Sequence, residues 1–369
     1  MKLKKKNCLI VLIILLLIIL EVVNPFELIA TNSIKKLNYS NDSSKKIISL
    51  GLKEQVLEHG YSEFIDKNVF SSDFDINRFD TYKQLNYSSN LNNLVIINQI
   101  IDKGYNIEEI NCILKTGDND SASDFIKKEK YEYIVDFLNF DYANLKNLDR
   151  YVDYQMKTLS NYKETVLSVE LGLDKEVYTD YNIINKFEYN MLVNKYNQLP
   201  KDFTPDELVK VDSNYSVNDD NYANKTMLDN FYKMADDLKK ELGLSIYIGS
   251  SYRSYEDQEE VYEQYLKAYG KNYVKKYVAY PGFSEHQTGL ALDLKAESGN
   301  TFANTKESKW LIQNAHKYGF IQRYISKKEN ITGYQSEPWH YRYVGVEIAT
   351  HIKENNLSFD EYYVMFLNK

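Results

Sequence analysis

The chain has 369 residues, 43% of them apolar and 27% charged, which is enough for two folded units with cores of their own. Its net charge of −8 argues against nucleic-acid binding, which needs a basic face to neutralise phosphates. The two cysteines, Cys8 and Cys112, lie far apart without metal-ligand spacing, so neither a disulfide framework nor a cysteine metal site is expected.

In chain order, the first feature is a basic run, Lys2 to Lys6, followed by Cys8 to Leu20 without a polar residue and then by Val22-Val23. A basic flank before an apolar run reads as an export signal or a short membrane span, with the lysines held on the cytoplasmic side. Leu28-Ile29-Ala30 places a bulky residue where a cleavage site wants a small one. The expectation is an uncleaved anchor within residues 1–30, partnering a bacterial membrane and leaving the remainder outside the cell. A secreted protein results if the segment is cleaved. Residues 31–46 are rich in Ser, Asn and Lys and read as a polar tether.

Residues 47–186 show short apolar-periodic stretches broken by polar clusters, which predicts a mainly helical region of unknown role. Val56-Leu57-Glu58-His59-Gly60-Tyr61 is echoed by Ile100-Ile101-Asp102-Lys103-Gly104-Tyr105. Two loose copies do not establish a repeat architecture. A structural helical domain is preferred here to a wall-binding module.

From residue 187 the periodicities sharpen. Leu228, Phe231, Ala235, Leu238 and Leu242 recur at helical spacing before Gly243. Leu244 to Ile248 alternates as a strand. Ser254 and Asp257 have the spacing of a capping box for a helix ending at Gly270. Leu290 to Leu294 alternates again, with Asp293 on the face opposite the leucines. A helix is expected over 306–318, strands at 320–324 and 341–344, and a last helix at 346–353. Strands and helices mix without βαβ regularity, which predicts an α+β domain over 187–369.

Two segments carry chemistry. The first runs Ser284-Glu285-His286-Gln287-Thr288-Gly289-Leu290-Ala291-Leu292-Asp293, the second Glu337-Pro338-Trp339-His340. Two imidazoles and a carboxylate, from His286, His340 and Asp293, suit Zn2+ with a fourth position left for water. Glu337, three residues before His340, could reach that water as a base. On spacing alone this is weak, because a His-x6-Asp spacing and a Glu three residues before a His are both common. The helical H-E-x-x-H arrangement is absent.

The residues around these ligands add more. Ser-x-His-x-x-Gly-x-Ala-x-Asp followed by Glu-x-Trp-His resembles the signature of the VanY-type D-alanyl-D-alanine carboxypeptidases and the related VanX-type dipeptidases. Leu192 to Tyr196 with Leu199-Pro200, Ser250-Ser251-Tyr252-Arg253-Ser254-Tyr255-x-x-Gln258, and Pro281-Gly282-x-Ser284 extend the resemblance over about 190–350. It implies a small, mostly antiparallel sheet flanked by helices, of the hedgehog/DD-peptidase-like type. It implies one zinc ion held by His286, Asp293 and His340, with Glu337 as catalytic base. Arg253 would hold substrate oxygens near the metal, and Gln258 and Ser284 would contact substrate. The partner implied is a peptidoglycan stem peptide and the reaction hydrolysis of its terminal D-Ala-D-Ala bond. An L,D-carboxypeptidase, a dipeptidase or a catalytically inactive wall-binding module stand as alternatives.

Overall fold

A computed structural model describes residues 25–298 and 301–368, and the chain divides into two compact units, Met1–Val152 and Asp153–Lys369. The division falls before the expected boundary at 187. Within the second unit, Asn182–Ile183 (β1) pairs in parallel with Asn197–Gln198 (β2).

In the first unit, short helices bury one apolar stripe each, with Val56, Ile65, Ile100, Ile113 and Leu138 inaccessible to solvent. The echo seen in the sequence has a structural counterpart. Helix Lys53–His59 ends at Gly60 and helix Leu94–Asp102 is followed by Gly104, both glycines with positive φ. After each, a polar cap (Ser62 or Asn106) starts another helix by accepting a backbone N–H. Helices form over the stretch expected as a tether, where Ile34 and Tyr39, with Ile47 just beyond it, are buried. Helix Asn41–Ser49 starts at Ser40, whose hydroxyl accepts from the Ser43 N–H.

The expected membrane span requires correction. Among the described residues no helix is long and apolar enough to cross a membrane. Helix Pro25–Lys35 has 11 residues and carries Glu27 and Lys35. At 1.5 Å per residue it reaches about half of a ~30 Å hydrocarbon layer. The run Cys8–Leu20 lies outside the described residues, and the membrane partner and the external placement inferred from it are not sustained.

The second unit holds a hairpin-like pair, Leu208–Lys210 (β3) with Tyr222–Asn224 (β4), and a four-stranded antiparallel sheet. The sheet strands are Ile246–Ser250 (β5), Ala291–Ala296 (β6), Phe320–Tyr324 (β7) and Glu337–Tyr343 (β8), in the order β5-β6-β8-β7. The α+β expectation is met. One face of the sheet is sealed by helix Lys225–Leu242, whose Leu228, Phe231, Met234 and Leu238 pack with Leu292, Leu294 and Tyr341. That helix starts on the Asn224 side chain and stops at Gly243 in the left-handed conformation. Alternation along β6 therefore turns Asp293 to the other face, as the sequence pattern requires.

Candidate active site

The site grows from the pairing of β6 with β8. Their register sets Asp293 directly opposite His340, with Leu292 opposite Tyr341 and Ala291 opposite Arg342. Opposite residues on one face lie close enough for their side chains to meet, and Asp293 Oδ1 is 3.0 Å from His340 Nδ1. The second histidine comes from the turn before β6. The 3-10 turn Glu285–Thr288 ends at Gly289, at φ 69°, where a Cβ would stand 3.1 Å from both Leu208 and Pro205 side-chain atoms. That tight reversal brings His286 Nε2 to 3.3 Å from Asp293 Oδ2.

One donor atom from each of His286, Asp293 and His340 lies within 4.8 Å of the others. The donor set fits a zinc ion on a further count: the outward nitrogen of each imidazole is already taken. His286 Nδ1 meets the Ser251 carbonyl oxygen at 2.6 Å, and His340 Nε2 meets Glu285 Oε2 at 3.3 Å. Outer partners of this kind fix the tautomer and leave the other nitrogen free for a metal.

Glu337 opens β8. Three residues from His340 in an ideal strand, it would face the opposite side. The pairing of β7 with β8 shifts register between Gln322 and Tyr324, and such irregularities re-aim side chains. Glu337 Oε2 lies 3.8 Å from His340 Nδ1, and burial pushes its carboxyl up to about 7. Burial also lowers the His286 imidazole. Burial opposes the charged forms of His340 and Asp293 too. The Asp293 and Glu285 carboxylates nevertheless lift His340 to about 10, and the two histidines hold Asp293 well below the carboxylate range.

Arg253 follows β5. Its backbone N–H donates to the His286 carbonyl at 3.2 Å, and its guanidinium donates to Gln258 Oε1 at 2.8 Å and Ser250 Oγ at 3.0 Å. Gln258 is itself anchored by its amide to the Ala279 carbonyl at 2.7 Å. Among the described residues Arg253 forms no ion pair within 4 Å, and the cavity carboxylates Asp293 and Glu337 act on its charge from farther away. The seven residues singled out from the sequence, Arg253, Gln258, Ser284, His286, Asp293, Glu337 and His340, line one cavity of about 260 Å³. Trp339, 39% exposed, also borders it, whereas Tyr343 belongs to the core.

Sequence reasoning missed Glu285, Tyr324 and Tyr334. Glu285 carried one signal, a charge set directly between the motif residues Ser284 and His286. Tyr334 is braced by Lys195, whose ammonium sits 4.2 Å over its ring and donates to the Gly333 carbonyl at 2.6 Å. His59, His316 and His351 do not join the cavity.

The family model described as VanY, D-alanyl-D-alanine carboxypeptidase, matches residues 220–346. YodJ of Bacillus subtilis (strain 168), named as a carboxypeptidase, is 37% identical over 57% of this chain and 82% of its own length. A D-alanyl-D-alanine carboxypeptidase of Enterococcus faecium is 32% identical over 62% of this chain and 69% of its own. Among solved structures, the LdcB LD-carboxypeptidase is 39% identical with TM-score 0.47, covering 51% of this chain and 92% of that one. A VanY D,D-pentapeptidase in complex with Zn(II) is 33% identical with TM-score 0.42, covering 47% and 99%.

Proposed function

The chain belongs to the VanY family of D-alanyl-D-alanine carboxypeptidases, and from that premise we propose that it uses one zinc ion to hydrolyse the terminal D-Ala-D-Ala bond of peptidoglycan stem peptides. His286, Asp293 and His340 would hold the ion, which when bound supplies Lewis-acid polarisation of a carbonyl and an acidified water. The other roles fall to the chain's own side chains. Glu337 takes the proton of the attacking water and returns it to the departing amine. A carboxyl near neutrality suits both halves of that task. Arg253, pre-set by Gln258 and Ser250, receives the carboxylate at the end of the substrate through its planar fork. Ser284, buried at the cavity wall, is placed to contact the bound peptide.

The observation that carries this reading is the convergence of the three ligand atoms with Glu337 at 3.8 Å in a cavity that also holds an unpaired arginine. The test incubates the intact chain with a pentapeptide muropeptide and measures released D-alanine, with and without a zinc chelator. Release that disappears on chelation, returns with zinc and is lost in Glu337→Gln is the expected result. Release from tetrapeptide alone would move the specificity to the L,D bond. No release from either, with zinc bound, would sink the catalytic reading.

A further inference from the structure

The cavity accounts for one side of His340, but its other nitrogen leads into a buried ionic cluster to which the reaction assigns nothing. Glu285 is the hub. Its side chain is fully buried, as are those of Arg323 and Arg342. Glu285 Oε1 accepts from Arg323 Nε at 2.8 Å and from Arg342 Nη1 at 3.1 Å, while Oε2 faces His340 Nε2 at 3.3 Å. Arg323 continues to Asp360 Oδ2 at 2.5 Å, and Asp360 Oδ1 accepts from the Asn194 amide at 3.0 Å. Arg342 Nη2 donates to the carbonyls of Tyr189 and Met191 at 3.1 and 3.0 Å.

Two arginines thus balance two carboxylates out of contact with water. Buried charges persist only when paired and hydrogen-bonded. Even so, the arginines use only one of the Glu285 oxygens, and the other is spent on a histidine. The chain geometry explains the economy. Glu285 precedes His286 on the same short turn, so one turn supplies both a metal-ligating imidazole and a bracket for the opposite one. The Tyr324 ring, 5.1 Å from the His340 ring and itself under the Arg323 guanidinium at 4.8 Å, closes the remaining side.

We propose that Glu285 is a positioning residue of the zinc site. It holds His340 by Nε2 so that Nδ1 is presented to the ion beside Asp293, and it carries a negative charge that offsets the arginines behind that ligand. This rests on the reading of His286, Asp293 and His340 as zinc ligands. The competing role for Glu285 is structural, as a partner for two buried arginines and nothing more. Asp360 separates the two roles, because it is equally buried and equally charged in the same cluster but does not touch His340.

The experiment measures zinc affinity of the intact chain by competition with a chromogenic chelator, beside melting temperature, for Glu285→Gln and Asp360→Asn. Glu285→Gln is expected to weaken zinc binding about 10–100-fold. Asp360→Asn, at a similar loss of thermal stability, is expected to stay within about threefold of the unaltered chain. Equal weakening by both, or unchanged affinity in Glu285→Gln, would overturn the positioning role. Should Glu285→Gln not fold, Glu285→Asp keeps the cluster neutral but shortens the reach to His340. It is expected to melt near the unaltered chain yet bind zinc about tenfold more weakly, and unchanged affinity there overturns the proposal equally. Absence of zinc binding in the unaltered chain overturns the metal reading itself, an outcome distinct from either.

Discussion

Glu337 occupies a cavity that opposes its charge, and this has a consequence for stability as well as for catalysis. Burial holds its carboxyl near 7, above the ordinary 4.5. In the metal-free protein the unfolded chain therefore binds fewer protons at this group between those values, so stability falls as pH rises through them. The protonated carboxyl contributes fully below pH 4.5, and the contribution is lost once pH passes 7. Glu337→Gln keeps the shape and cannot ionise. At pH 8 the metal-free variant is expected to exceed the parent by up to about 3 kcal/mol, with the gap closing at pH 4.5. Urea unfolding at the two pH values checks this, and an equal gap at both would count against burial as the cause. The same variant should lose about 10²–10⁴ in turnover if Glu337 moves protons. Arg253→Lys keeps a charge but gives up the planar fork. Its kcat/KM should fall by about 10-fold or more if the fork grips a carboxylate, and a change under about twofold would point to a bare electrostatic role. Single residues were the most legible scale. The seven expected site residues share one cavity because each stood in a short motif whose neighbours restrict what it can be. Glu285 lay in the same motif, but its partners, Arg323 38 residues away and His340 55 residues away, exist only after β7 and β8 have paired around it.

At the scale of elements, the apolar alternation of 290–294 was enough to place Asp293 away from the core, since a period of two on a sheet with one sealed face leaves no other side. The same rule misplaces Glu337, whose odd spacing from His340 is reconciled only by the register shift beside Tyr324. No local pattern announces such a shift, because it depends on the partner strand. The turn between Ser284 and β6 is the element on which the two motif halves depend, and Gly289 is its hinge. A side chain there would adopt a left-handed backbone and press on Pro205 and Leu208 at 3.1 Å. Gly289→Ala is expected to cost about 1–2 kcal/mol from the backbone alone. It should also weaken zinc binding, since the strain is relieved by moving the turn that carries His286. Unchanged affinity with lowered stability would separate the hinge from the site.

For the molecule as a whole, the sequence indicated two folded regions with a boundary near 187, and the chain divides into compact units between Val152 and Asp153. Residues 153–186 carry no motif that assigns them to either region, and of them Asn182–Ile183 pairs with Asn197–Gln198 within the second unit. The apolar stripe near 34–47 was hidden in a Ser- and Asn-rich background, which is why a tether was expected where helices form. Every candidate ligand lies in the second unit, Asp153–Lys369, and that asymmetry can be measured. A ligand that binds only the folded state stabilises it by about 4 kcal/mol when present at a thousand times its dissociation constant. In a domain of this size one kcal/mol moves the melting temperature by roughly 2–4 °C. Calorimetry of the intact chain is therefore expected to resolve two transitions, one of which drops by roughly 8–16 °C on chelation while the other stays in place. A zinc-dependent transition that also vanishes in His340→Ala would tie the stabilisation to the proposed site. If instead the whole profile moves together, the two units unfold as one, and if nothing moves, His286, Asp293 and His340 hold no metal that matters to the fold.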